Sequence, residues 1–406
     1  MGFALAVALP ITIPWILLVL GLMLAGIGET GIFLSRRWSG SAAPALLPVV
    51  NPLQAPLAVP LIAFCLVSAI CGGASGGLKE AIGSLEAVRA FLVYPWAYLV
   101  FARHPQLRWR ASLLFLVASA VAGLWGTIQQ LFNFHPFGYQ YLQGTGFLSA
   151  PMPFAGEMQL AFGLALSYAL ARSDLLQTMK PSRRWFWMAI LAAIAMGVLF
   201  AGERSAWLGA VACGVCVTFF VSPKVFWRAV LIFVVGITVA WFTVPLVRQR
   251  LEPLTHWQDD ISTRVRLRIW EESYKLFEHS PVFGVGPRKF PKLDIPEAIV
   301  PGKSSYLVHG HSNYSHILAT TGLVGSLTFA WLSIAMLYHC FARTKSAKGE
   351  SRIRLGSTEA LTALGLFGGV VALMVAGLFE YNFGTGQVRL AQWFLLAMLQ
   401  SNQSRS

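Results

Sequence analysis

His309 and His311 stand immediately before an apolar run, in the string HGHSNYSHILATTG at 309–322. If Ser312 or Asn313 caps the helix that this run forms, His311 lies at the positive end of its macrodipole, which favours the neutral ring a general base requires. The unbonded N–H groups of a helix start also suit a phosphate oxygen. His316, one turn inside, reads as a simple hydrogen-bonding histidine. Upstream, ISTRVRLRIWEESYKLFEH at 261–279 reads as a helix, with Ser262 as its N-cap and Asp259 and Asp260 favourable at its start. Arg264 can pair back to Asp260, and Arg268 forward to Glu271 or Glu272. Arg266 has no such partner. Ile269, Trp270, Ser273 and Phe277 share its face, so its guanidinium points inward, where it needs an anion and its planar fork suits phosphate. An arginine satisfied by carbonyls or lying at the surface is the bland alternative.

Arg204, in AGERSAWLG, separates two apolar runs by almost nothing. A charge at so tight a hairpin sits at a membrane rim, aimed into the bundle or at headgroups. Snorkelling, or pairing with an acidic neighbour such as Glu203, accounts for it nearly as well. Arg264 and His309 are further candidates for substrate contact. Lys79 and Arg89 are weaker ones, and Arg89 has Glu86 three residues before it for a structural pair.

The elements that must position these residues are membrane spans. The chain of 406 residues is 56% hydrophobic and 12% charged, about half the charge of an ordinary soluble domain. Apolar runs fall near 3–34, 56–78, 87–102, 111–131, 157–172, 185–202, 205–222, 226–247, 315–341, 358–379 and 388–400. Runs of about 20 residues fit helical spans, so the fold class is an all-α polytopic membrane protein with 11 or 12 spans, the first run, with Pro10 and Pro14, giving one or two. It divides into an N-terminal bundle over 1–248, a large, partly helical loop over 249–314, and C-terminal spans over 315–406.

The net charge of +14 invites a nucleic-acid reading, but the basic residues cluster in alternate short connections, at Arg36/Arg37, Arg103 to Arg110, Arg172 to Arg184, Lys224/Arg228 and Arg343 to Arg354. That is the positive-inside pattern. The other connections, with Arg204, the 132–156 segment and the large loop, then share the opposite face, the periplasm in a bacterial inner membrane. Between 249 and 309 the large loop has nine basic and eight acidic residues, a balance long translocated loops tolerate. No cofactor or metal is expected. Cys213 and Cys216 lack a second pair or a nearby histidine and read as packing, Gly284 and Gly286 follow a helix rather than a strand, and a P-loop and a serine elbow are both missing. The aromatic, glycine-rich 138–156 segment suits saccharide stacking or a loop on the membrane surface.

Taken together, Arg204 in ERSAWLG, the RLRIW box beginning at Arg266, PVFGVG at 281–286 and HGHSNYSHILATTG resemble the O-antigen ligase/O-antigen polymerase superfamily of bacterial polysaccharide enzymes. Ser312, where the family usually has Asn, and Thr320, where an acidic residue is common, depart from the pattern. The resemblance implies a donor glycan on undecaprenyl diphosphate and lipid A–core as acceptor, with both lipids arriving through the membrane. It implies inverting transfer without a metal, with His311 as base and Arg204 and Arg266 holding the diphosphate. A chain polymerase or protein O-oligosaccharyltransferase would share the donor. A lipid-glycan transporter would instead set charges along a midplane path, whereas these spans are nearly charge-free.

Overall fold

The computed structural model describes residues 53, 55–134, 143–170, 181–256, 258, 260–291, 293–295, 305–307, 309–344 and 357–399. The apolar run at 3–34, Asp259 and most of the basic cluster after Arg343 lie outside them. Within the described residues the chain is helical: α1 (Ala58–Ala87), α2 (Val93–Arg103), α3 (Gln106–Phe132), α4 (Pro151–Ala169), α5 (Pro181–Phe200), α6 (Arg204–Val221), α7 (Pro223–Thr243), α8 (Pro245–Leu251), α9 (Ile261–His279), α10 (Asn313–Ala342), α11 (Thr358–Ala376) and α12 (Gly386–Leu396). Six of them, α1, α3, α6, α7, α10 and α11, are long and apolar enough to cross a membrane. The protein is therefore an all-α polytopic membrane protein. One small departure is a two-stranded antiparallel ladder, β1 (Leu293–Ile295) with β2 (Ser305–Leu307), inside the large loop.

The centre of the bundle is α4, α6 and α11, which approach closely because small residues face one another. A β-carbon on Gly163 would lie 2.3 Å from the Gly365 carbonyl oxygen, and such contacts give van der Waals packing where apolar lipid supplies no hydrophobic drive. Cys213 is buried in the same seam, as its packing reading expects. The runs near 87–102 and 388–400 give α2 and α12, helices of 11 residues, or about 16 Å each. They pack against each other, with Tyr94 and Trp393 rings 5.7 Å apart and Phe101 and Phe394 5.5 Å apart. The apolar run expected to begin at 157 is helical from Pro151, which fits the first turn because it needs no N–H partner there. Of the stretch before it, the described residues 143–150 are tied to the bundle. Thr145 N–H donates to Gln129 Oε1 at 2.9 Å, and Gly144 N–H to the Phe200 carbonyl at 2.9 Å.

Two spans are broken. α1 loses helical geometry at Gly76 and Gly77, and α10 breaks at Gly322, where φ is +61°. On an unbroken helix Tyr314 and Phe329 would stand roughly 22 Å apart; their rings are 6.0 Å apart, so the short first arm of α10 folds back along the second.

Candidate active site

The break in α10 is made good by PVFGVG. Val285 and Gly286 N–H donate to the Ala319 and Thr320 carbonyls at 3.0 and 2.9 Å, and Leu323 N–H donates to the Pro281 carbonyl at 2.8 Å. The groups that any helix end leaves open are thus satisfied by the loop. Close approach requires glycine on both sides: a β-carbon on Gly284 would lie 2.3 Å from the Thr320 carbonyl carbon, and one on Gly322 2.5 Å from that of Val282. The motif is a brace, and it fixes where the first arm of α10 begins.

At that beginning Ser312 is the N-cap, accepting from Tyr314 and Ser315 N–H at 3.2 and 3.4 Å. Asn313 bonds Asn382 Oδ1 at 2.7 Å and receives Phe383 N–H at 2.9 Å, tying the turn to the segment after α11. His316 is the structural histidine anticipated from sequence: its Nδ1 accepts from Gly310 N–H at 3.1 Å. So constrained, His311 takes φ +42°, an uncommon left-handed conformation for a non-glycine residue and the kind of strain held at functional sites.

His311 does not face a helix end alone. Its Nδ1 is 3.6 Å from Glu380 Oε2, while Glu380 Oε1 accepts from Arg266 Nη2 at 2.5 Å. Glu380 is the residue that sequence reasoning missed. Burial raises its carboxyl, yet His311 and Arg266 more than offset this and hold it below the usual carboxylate range. Its one signal is position: it is the single acid in the short connection at 380–387. Arg266 therefore does have its anion, supplied by the protein. Its Nε donates to the Phe379 carbonyl at 3.0 Å and its Nη1 to the Ser262 hydroxyl, so each nitrogen is engaged and one N–H on each terminal nitrogen is left over.

Asp260, rather than Ser262, caps α9, accepting Thr263 N–H at 3.1 Å. The same carboxylate receives Arg204 Nη2 at 2.8 Å. Arg204 thus pairs across 56 residues instead of with Glu203, and Arg264 loses the partner expected for it. Arg204 Nη1, Arg264 Nε, His309 Nδ1 and His311 Nε2 are buried without a hydrogen-bond partner among the described residues. Arg268 bonds Glu271 and Glu272 at 3.2 and 2.9 Å, as the helical spacing requires. The His309 ring lies 4.2 Å from that of His311. Burial, then the neighbouring His311, lowers its pKa to about 4.

Glu203 connects the two groups. It feels Glu380, Arg250, Arg266 and Arg204, and burial together with Glu380 raises it to about 7. Arg204, Arg266, His309 and His311 are therefore brought to one place with Glu203, Arg250, Asp260 and Glu380, and Arg264 sits one helical turn from Asp260. Lys79 and Arg89 are exposed, on α1 and the turn after it, with Arg89 near Arg389 of α12 rather than among these groups. A cavity of about 510 Å³ opens nearby between Ala74, Ser75 and residues 279–285, against the brace. Among the described residues no cluster of three or more His, Cys, Asp or Glu is arranged to hold a metal ion. Chemically, the arrangement offers an oriented imidazole beside cationic groups with unmet donors, at the end of the bundle where α6 and α10 begin and α11 ends.

Residues 188–330 match the family model described as O-antigen ligase. No curated protein sequence matches the chain.

Proposed function

We propose, from the match of residues 188–330 to the O-antigen ligase family, that the chain is a ligase-type membrane glycosyltransferase of that superfamily, moving a glycan from undecaprenyl diphosphate to a sugar hydroxyl of lipid A–core at the periplasmic face of a bacterial inner membrane. The observation carrying this reading is the convergence of Arg204, Arg266 and His311 from three separate segments, with buried, unbonded nitrogens on Arg204 and His311. Glu380 faces His311 Nδ1 and so leaves Nε2 to accept the acceptor's hydroxyl proton. The acceptor oxygen bonds to the anomeric carbon as the bond to the diphosphate oxygen breaks, and the electron pair leaves with the diphosphate. Glu380 then stabilises the imidazolium, an orienting role that carboxylates play for catalytic histidines. Fixed donors aimed where charge develops lower the barrier without reorganising. Arg204 Nη1, Arg264 Nε and the two spare N–H groups of Arg266 are such donors. Displacement from the opposite side gives an inverted product.

The test is transfer by purified protein from lipid-linked glycan to lipid A–core in EDTA. Transfer lost in His311→Ala and kept without metal supports the reading; full transfer by that variant removes His311 as base. Elongation of lipid-linked glycan in preference to lipid A–core makes the protein a polymerase, and a retained anomeric configuration rules out direct displacement.

A further inference from the structure

Arg250 has no role in the reaction so far, yet the structure places it at the site. α8 lies on the tight turn before α6: Leu246 and Val247 are buried, and a β-carbon on Gly202 would meet the Leu246 side chain at 3.4 Å. Arg250 follows them at helical spacings of four and three, so it shares their inward face. Arg248, on another face, is exposed and paired with Glu252 at 3.5 Å. Among the described residues no ion pair or hydrogen bond fixes the Arg250 guanidinium, whose charged neighbours are Glu203, Arg204, Arg266 and Asp260. Asp260 is already committed to Arg204, and Glu380 to Arg266. Glu203 is thus the one uncommitted carboxyl among three guanidiniums, and its side chain does not cap α6.

We propose that Arg250 is a further diphosphate-binding cation of this site, beside Arg204, Arg264 and Arg266, and that Glu203 is an internal stand-in for the phosphate, lying among the guanidiniums until donor arrives. The inference rests on the diphosphate-donor reading above. With Glu203 ionised, three carboxylates offset all but one of the four guanidiniums of Arg204, Arg250, Arg264 and Arg266, and an incoming dianion meets little net attraction. With Glu203 protonated, a second positive charge is left uncompensated, and its O–H can donate to a phosphate oxygen. The groups facing Glu203 are Glu380, Arg250, Arg266 and Arg204, with His309 and His311 beyond Glu380. Its raised carboxyl puts the change near neutral pH.

The experiment measures binding of inorganic pyrophosphate to the full-length protein in detergent between pH 6 and 8.5. Each variant is expressed as a ratio to wild type at the same pH, which cancels the titration of pyrophosphate itself. R250Q should weaken binding roughly tenfold or more, the worth of a charge-assisted hydrogen bond, with R250K restoring part of it. E203Q should match wild type at pH 6 and bind increasingly tighter above pH 7. Unaltered melting of the variants separates lost binding from lost fold, and a variant that melts early is replaced by R250K or E203D. If wild type binds pyrophosphate but R250Q binds equally well and E203Q gives a flat ratio, this inference falls and the diphosphate reading stands. If wild type binds none at any pH, both fall.

Discussion

Replacing Glu380 by glutamine isolates the residue that joins Arg266 to His311. The carboxylate is 7% exposed and the arginine side chain 18%, so the pair is enclosed, and removing one partner of such a pair costs about 3–5 kcal/mol. Arg266 keeps the Phe379 carbonyl and the Ser262 hydroxyl, and the amide oxygen can still accept from Nη2. The stability loss should therefore fall near about 2–3 kcal/mol. Glu380 is held below its ordinary carboxyl range, so it binds fewer protons folded than unfolded. Its contribution is present above the unfolded carboxyl value and is lost as pH falls through the lower folded one. E380Q should accordingly flatten acid destabilisation as well as lower the melting point. For catalysis, an amide cannot stabilise the imidazolium at 3.6 Å. A hundredfold fall in the rate of glycan transfer, about 2.7 kcal/mol of barrier, is expected, with donor binding changed far less. E380D keeps the charge but cannot reach both partners, and should fall between. E380Q with wild-type melting, acid profile and rate would refute the reasoning.

Four further outcomes follow from the same geometry. Gly322→Ala and Gly284→Ala should each reduce folded protein sharply, since a side chain there combines positive φ with overlap of backbone atoms; size-exclusion profiles in detergent report this. Ser312→Ala should lower stability by about 1 kcal/mol through loss of the cap, measured by thermal unfolding. His309, lowered to about 4, resists protonation when folded, so between its ordinary value near 6.5 and pH 4 the unfolded chain takes up the proton preferentially. Stability should drop as pH is lowered through that window, and His309→Gln should remove that part of the slope. Arg204→Lys should impair transfer more than it impairs folding, because a lysine can still meet Asp260 but cannot also present the free Nη1 donor.

Much of this was legible in the sequence. The helix from Ile261 to His279 starts and ends where its pattern places it, Arg268 finds its intrahelical acids, and Ser312 caps the arm behind His311, because these depend on contacts within a few residues. What failed depends on contacts distant in the chain. Arg266 was short of a partner on its own helix, and that partner is 114 residues away at Glu380. Asp260 was assigned to Arg264 by spacing but was taken by Arg204. Glycine and proline in PVFGVG indicated a turn without saying what it turned around. Helix length is another such case: the apolar runs near 87–102 and 388–400 form α-helices of 11 residues, shorter than the runs, with Tyr94 against Trp393.

His311 sits at the tip of a lever. The short arm from Asn313 to Thr321 is hinged at Gly322 and splinted by residues 281–286, of which Pro281 to Val285 also wall the neighbouring cavity. One stretch of backbone thus shapes the hollow and holds the arm on which the imidazole is carried.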